Sequence, residues 1–292
     1  MQLSPDFAVV EVLAVRWLGY LGLVMLLGTA LFVSWIWPDG RSDRVLSRLL
    51  VVGGALSAVS TVALPLVSGA PGSTAWEGAL AGRAGAMALG RLALFVLAVG
   101  FGPNVVSTAR RYPVLVTGWC LAVVETYVIG SPAPAGPYAV ATVVAATGHL
   151  LATATWLGGL LALSAVLLPR TSLDILDLVI SRFSRVAVIS VLVLSVTGAV
   201  HALATAGGLS PLLGSRYGAV LFVKVCVFAV MLVLGNQGRR YAVRLAHRRA
   251  NPGVVAADTD IRVLAVAVGG EFALALGVLA VTAVLVQAGA AS

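Results

Sequence analysis

The chain has 292 residues, of which 60% are hydrophobic and 10% charged, with a formal net charge of +8 and a mean hydropathy of +1.04. A soluble domain carries about 25% charged residues to cover its surface, so this composition excludes a water-soluble globular protein and makes lipid the solvent. The excess of 19 Lys and Arg over 11 Asp and Glu would suggest nucleic acid in a soluble chain. In an apolar one it marks the cytoplasmic ends of spans, and with no soluble basic domain nucleic-acid binding is not expected.

Eight apolar runs follow one another at roughly 10–37, 45–68, 86–108, 112–130, 139–168, 182–206, 216–236 and 263–287. A helix that crosses a bilayer needs about 20 apolar residues. The pattern therefore predicts an all-α, polytopic integral membrane protein with about eight transmembrane helices. The segment before the first run carries Asp6 and Glu11 and no basic residue, so the first span is not expected to be a cleaved signal peptide. Trp37-Pro38-Asp39-Gly40 ends the first run, Ser131-Pro132-Ala133-Pro134 follows the fourth, Pro169 the fifth and Gly207-Gly208 the sixth. These are breaker sequences placed where helices must stop. A polar loop runs from Asn251 to Asp260.

Arginines collect in alternate loops: Arg41, Arg44 and Arg48 after the first span, Arg110 and Arg111 after the third, Arg170, Arg182 and Arg185 after the fifth, and Arg239 to Arg262 after the seventh. The opposite loops are nearly free of basic residues. The Lys/Arg bias then puts the Arg-rich loops in the cytoplasm and both termini outside.

A weak internal repeat is visible. Leu46-Ser47-Arg48 opens span two and Phe183-Ser184-Arg185 opens span six; Ala109-Arg110-Arg111-Tyr112 follows span three and Gly238-Arg239-Arg240-Tyr241 follows span seven. Gly28 precedes Pro38 by the same interval as Gly159 precedes Pro169. The repeat predicts two parallel four-helix halves, 1–138 and 139–292, of the kind transporters use.

An ionisable group in a bilayer costs at least a few kcal/mol and calls for a reason. Seven fall within the runs: Arg16, Arg91, Glu125, His149, His201, Lys224 and Glu271. All but Glu271, which sits nearer the middle, fall in the outer leaflet on six different helices. Groups at one depth can face a common outward-facing polar cavity and stay hydrated there. Arg16 is also placed to snorkel to the interface.

Imidazole binds copper, zinc and haem iron. His149 and His201 lie on consecutive spans with a cytoplasmic connection, hence antiparallel and expected to be adjacent. Their depths differ by roughly 7 Å at about 1.5 Å per residue, which suits two ligands of one metal ion or two axial ligands of one haem. Ser190, Thr197 and His201 share one helical face, as do His149, Thr153 and Trp156. His247, in the basic loop, is expected to be solvated. Met231 follows Lys224 by seven residues on the same face and could extend a path inward, although a single methionine in a helix is more often packing. Cys120 and Cys226 lie in apolar runs, and no Met-x-x-x-Met or Cys-x-x-Cys pattern occurs. Neither a P-loop nor a dinucleotide fingerprint is present, and no nucleophile has a base beside it, so an enzyme is not expected.

The second half resembles the CopD family of bacterial copper-resistance and copper-uptake membrane proteins. The residues that carry the resemblance are His149, Trp156-Leu157-Gly158-Gly159, Arg182-Phe183-Ser184-Arg185, Thr197-Gly198, Leu212-Leu213-Gly214-Ser215-Arg216-Tyr217-Gly218, Lys224, Asn236 and Glu271, over roughly 140–288. The resemblance implies an eight-helix protein that moves copper across the cytoplasmic membrane of a bacterium, often with a periplasmic CopC-type copper-binding partner. It carries His149, Trp156, Lys224 and Glu271 as family positions, while the role of His201 rests on its depth. The reading is a copper transport or resistance protein with His149 and His201 as metal ligands and Glu125, Trp156, Lys224, Met231, Glu271 and Arg91 along the path. The alternative is a membrane b-type cytochrome with the two histidines on haem b. The sequence leaves the direction of transport and the oligomeric state open.

Overall fold

The computed structural model describes residues 5–68, 82–105, 112–131, 139–167, 173–206, 208, 214–249, 270, 273–274 and 276–282. Every regular element among them is helical. In lipid no water is available to backbone amides, so a spanning segment must satisfy them within itself. Helix α1 begins as Pro5–Leu23 and runs on through two π turns, Val24–Gly28 and Phe32–Ile36. Then come α2 (Arg44–Ser68), α3 (Arg83–Val105), α4 (Tyr112–Gly130), α5 (Ala139–Ala162, continued by the π turn Leu163–Leu167), α6 (Leu173–Ala206) and α7 (Arg216–Arg249).

Six segments among the described residues are long and apolar enough to cross a membrane: Val9–Ile36, Arg44–Val67, Tyr112–Gly130, Ala139–Ala165, Leu178–Ala204 and Tyr217–Gly235. Helix α3 coincides with the third predicted run. The eighth run, 263–287, lies largely outside the described residues, and 276–282 within it is helical. The protein is an all-α, multi-pass membrane protein.

Helix ends follow local chemistry. Trp37 precedes a proline, which disfavours the helical region, and its backbone (φ −133°, ψ 78°) lies outside that region. Asp43 caps α2 by accepting from the amides of Val45 at 2.7 Å and Leu46 at 3.1 Å. Arg182 donates to the carbonyl of Ile36 at 3.3 Å, placing a cation at the carbonyl end of α1, where the helix dipole favours it.

The first helix is the axis of the bundle. Inside the protein 83% of its central window is buried, against 6–28% for the other spans. It packs on α2, α4 and α5, and small residues let it do so. A Cβ on Gly22 would meet Ser57 N at 2.7 Å, and one on Gly53 would meet Leu26 N at 2.6 Å. Gly28 and Gly158 put backbone against backbone at the crossing of α1 and α5: a Cβ on Gly158 would fall 2.6 Å from Val24 O, and one on Gly28 would collide with Ala154 O and Gly158 Cα. Gly159, which the repeat pairs with Gly28, instead receives the ring of Phe183. Such close approach is how helices associate where lipid removes the hydrophobic drive. Around this axis, Val59, Val96, Val114, Val144, Val196 and Phe222 are exposed and form the lipid-facing surface.

The π turns Phe32–Ile36 and Leu163–Leu167 lie 131 residues apart, the separation of Gly28 from Gly159 and of Pro38 from Pro169. Leu46 and Phe183, the opening residues of the other repeated motif, are buried in one apolar cluster with Trp156 and Met231.

The crossing yields a test. Gly158→Leu should destabilise the protein by about 3 kcal/mol or more, because a side chain is forced into backbone. Gly118→Ala, with nothing within 4 Å of the added atom, should leave it unchanged. Thermal unfolding in detergent measures both, and equal midpoints would remove the crossing from its central role.

Candidate functional site

Helices α5 and α6 lie side by side and bring the two predicted histidines together. The His149 and His201 ring centroids are 6.4 Å apart with planes at 71°. Both rings are partly buried. His149 Nδ1 lies 3.0 Å from Thr197 Oγ1, and Thr197 is one turn before His201 on the predicted common face. The approach is close because small residues line it. A Cβ on Gly198 would stand 3.5 Å from His149 Cε1, and one on Gly148 3.4 Å from Thr197 Cγ2. A haem between the two rings would have to part helices that touch here. The carbonyl of His149 accepts from Thr153 Oγ1 at 2.7 Å.

Lys224 lies on α7 one turn before Phe228, and α7 packs on α6, the helix that carries His201. Trp156 is buried and meets Phe228 of α7 edge to face, with centroids 5.6 Å apart at 85°. Met231 is fully buried in the same apolar cluster. These two residues form the dry floor under the polar group. Glu271 lies outside the described residues.

The other predicted residues sit elsewhere. Glu125 of α4 is half-buried and accepts from Thr147 Oγ1 of α5 at 2.7 Å. Arg91 of α3 is buried, and its bonds run to α2 and α4. Nε donates to Thr126 Oγ1 at 3.0 Å, Nη1 to Thr61 Oγ1 at 3.2 Å and Nη2 to Thr126 O at 3.0 Å. The guanidinium carbon stands 3.3 Å from the centroid of the Tyr127 ring. The planar fork thus bridges three helices, with a cation–π contact closing one side. Among the described residues, no three His, Cys, Asp or Glu side chains converge as a metal site.

Sequence reading placed Thr197 on the histidine face without assigning it His149 as a partner, and the shared depth of the two groups was the available signal. The partners of Arg91 carried no signal, because threonines and a tyrosine are common in any span.

The Arg91 network predicts a stability effect. Arg91→Leu orphans three buried acceptors and should cost about 2–3 kcal/mol. Arg91→Lys keeps the charge but not the fork and should recover only part of it. Thermal unfolding of the two variants checks this, and a wild-type midpoint for Arg91→Leu would show that the network carries no stability.

Compared with known proteins, residues 177–285 match the family model described as Copper resistance protein D, CopD. His201, Lys224, Met231 and Glu271 fall within the match; Arg91, Glu125, His149 and Trp156 precede it. No curated protein and no solved structure matches the chain.

Proposed function

From the CopD-family assignment that residues 177–285 support, we propose that this copper-resistance membrane protein carries copper across the cytoplasmic membrane of a bacterium and takes the ion at His149 and His201. The observation that carries the reading is the imidazole pair itself, 6.4 Å between centroids on neighbouring helices inside spanning segments. A metal about 2 Å from one nitrogen of each ring sets the centroids roughly 6 Å apart, so the pair is close to bridging distance. Imidazole nitrogens suit copper, and copper is here the cargo.

On this reading copper enters from the outer face, where a periplasmic CopC-type protein is the donor. It then passes inward along the Trp156–Met231 floor, while Lys224, Glu125 and Glu271 set the charge of the polar zone. The arginine-rich loops face the cytoplasm and both termini face outside.

The site assignment is checked by elemental analysis of the detergent-purified protein for copper and iron together. Wild type should hold copper near one equivalent, and His149→Ala and His201→Ala should each lose most of it while keeping the wild-type elution profile. Iron in place of copper would turn the histidines into haem ligands, and unchanged copper in His149→Ala would end the assignment. The orientation is checked in a background lacking Cys120 and Cys226. A cysteine at Ser131 should react with an impermeant thiol reagent in intact cells, and one at Asp39 only after permeabilisation. The reverse pattern would invert the topology.

A further inference from the structure

Thr197 Oγ1 has a single proton and three neighbours. Val193 O lies at 2.6 Å, His149 Nδ1 at 3.0 Å and Leu194 O at 3.4 Å. Two oxygens at 2.6 Å repel unless a proton lies between them, and the hydroxyl is the only group of that pair able to donate. The proton of Thr197 therefore goes to Val193 O, one turn back along its own helix. What remains toward His149 is a lone pair, so the Nδ1 contact can be a hydrogen bond only if the imidazole donates.

We infer that Thr197 is a positioning residue that holds His149 as the Nδ1–H tautomer and so presents Nε2, with its lone pair free, as the ligating nitrogen. This deepens, and rests on, the copper reading of the His149–His201 pair. Metal-bound histidines almost always donate their second ring N–H to a fixed acceptor, which sets both tautomer and ring orientation. In this site the acceptor is a neutral hydroxyl in place of the usual carboxylate or carbonyl. The ring is held from the opposite helix: Thr197 stands on α6, one turn from His201, so one short stretch of α6 both supplies a candidate ligand and orients the other. Gly198, next to Thr197, lies beside this ring: a Cβ added to it would stand 3.5 Å from His149 Cε1, in ordinary van der Waals contact.

The test separates the positioning role from the copper reading. Full-length protein labelled with nitrogen-15 in histidine, metal-free in lipid nanodiscs, reports the tautomer of each ring by NMR. The three histidines are assigned with His201→Asn and His247→Asn. His149 should appear as one neutral tautomer protonated on Nδ1. Thr197→Val, which keeps the shape and removes the acceptor, should give a mixture or the opposite tautomer, and Thr197→Ser should restore the wild-type spectrum. Titration with copper(I) should then show affinity about 10–100-fold weaker in Thr197→Val and near wild type in Thr197→Ser. An Nδ1 without a proton in wild type, or an unchanged spectrum in Thr197→Val, overturns the inference whatever copper does. The expected tautomers with no copper bound by wild type overturn the copper reading instead.

Discussion

The contact on which the rest of the structure depends is the backbone-to-backbone crossing of α1 and α5 at Gly28 and Gly158. In water a buried helix is held by its apolar face. In lipid that drive is absent, and close van der Waals approach takes its place. Two glycines at one crossing let α1 sink to the centre of the bundle, where α2, α4 and α5 all reach it. With α1 at the axis, α5 is clamped on one side. Its opposite side, bearing Gly148, His149 and Ala152, is left to pack on α6, which carries Thr197 and His201. The placement of the imidazoles is in this sense a consequence of two missing side chains at this crossing, one of them nine residues from His149 along α5.

A second device recurs in both polar regions. Hydroxyls in these helices return their proton to a carbonyl of their own helix: Ser34 to Ala30, Thr61 to Ser57, Thr126 to Val123, Thr153 to His149 and Thr197 to Val193. Each hydroxyl oxygen is thereby reduced to an acceptor. Arg91 takes up the acceptors of Thr61 and Thr126, and His149 that of Thr197. A guanidinium and an imidazole are thus solvated without a carboxylate among these partners. This matters in a bilayer, where a carboxylate would add its own desolvation cost.

The class of fold was legible because hydropathy is a one-dimensional signal, and seven of the predicted runs coincide with helices. The faces were legible too, since the 3.6-residue period puts Thr197 and His201 on one side before any partner is known. What the sequence could not give is which span lies inside. Mean hydropathy runs from 1.4 to 2.5 across the spans with the first in between at 1.9, so α1 does not announce itself as the axis, and its glycines name no partners. Depth likewise supplied one coordinate of three. It put Arg91 and His149 in the same leaflet, but the lateral position that sends Arg91 to Thr61, Thr126 and Tyr127 rather than to the histidines is fixed by packing. The C-terminal end of α1 shows the converse case. Trp37-Pro38 dictates the stop from local sterics alone, and the structure ends the helix there.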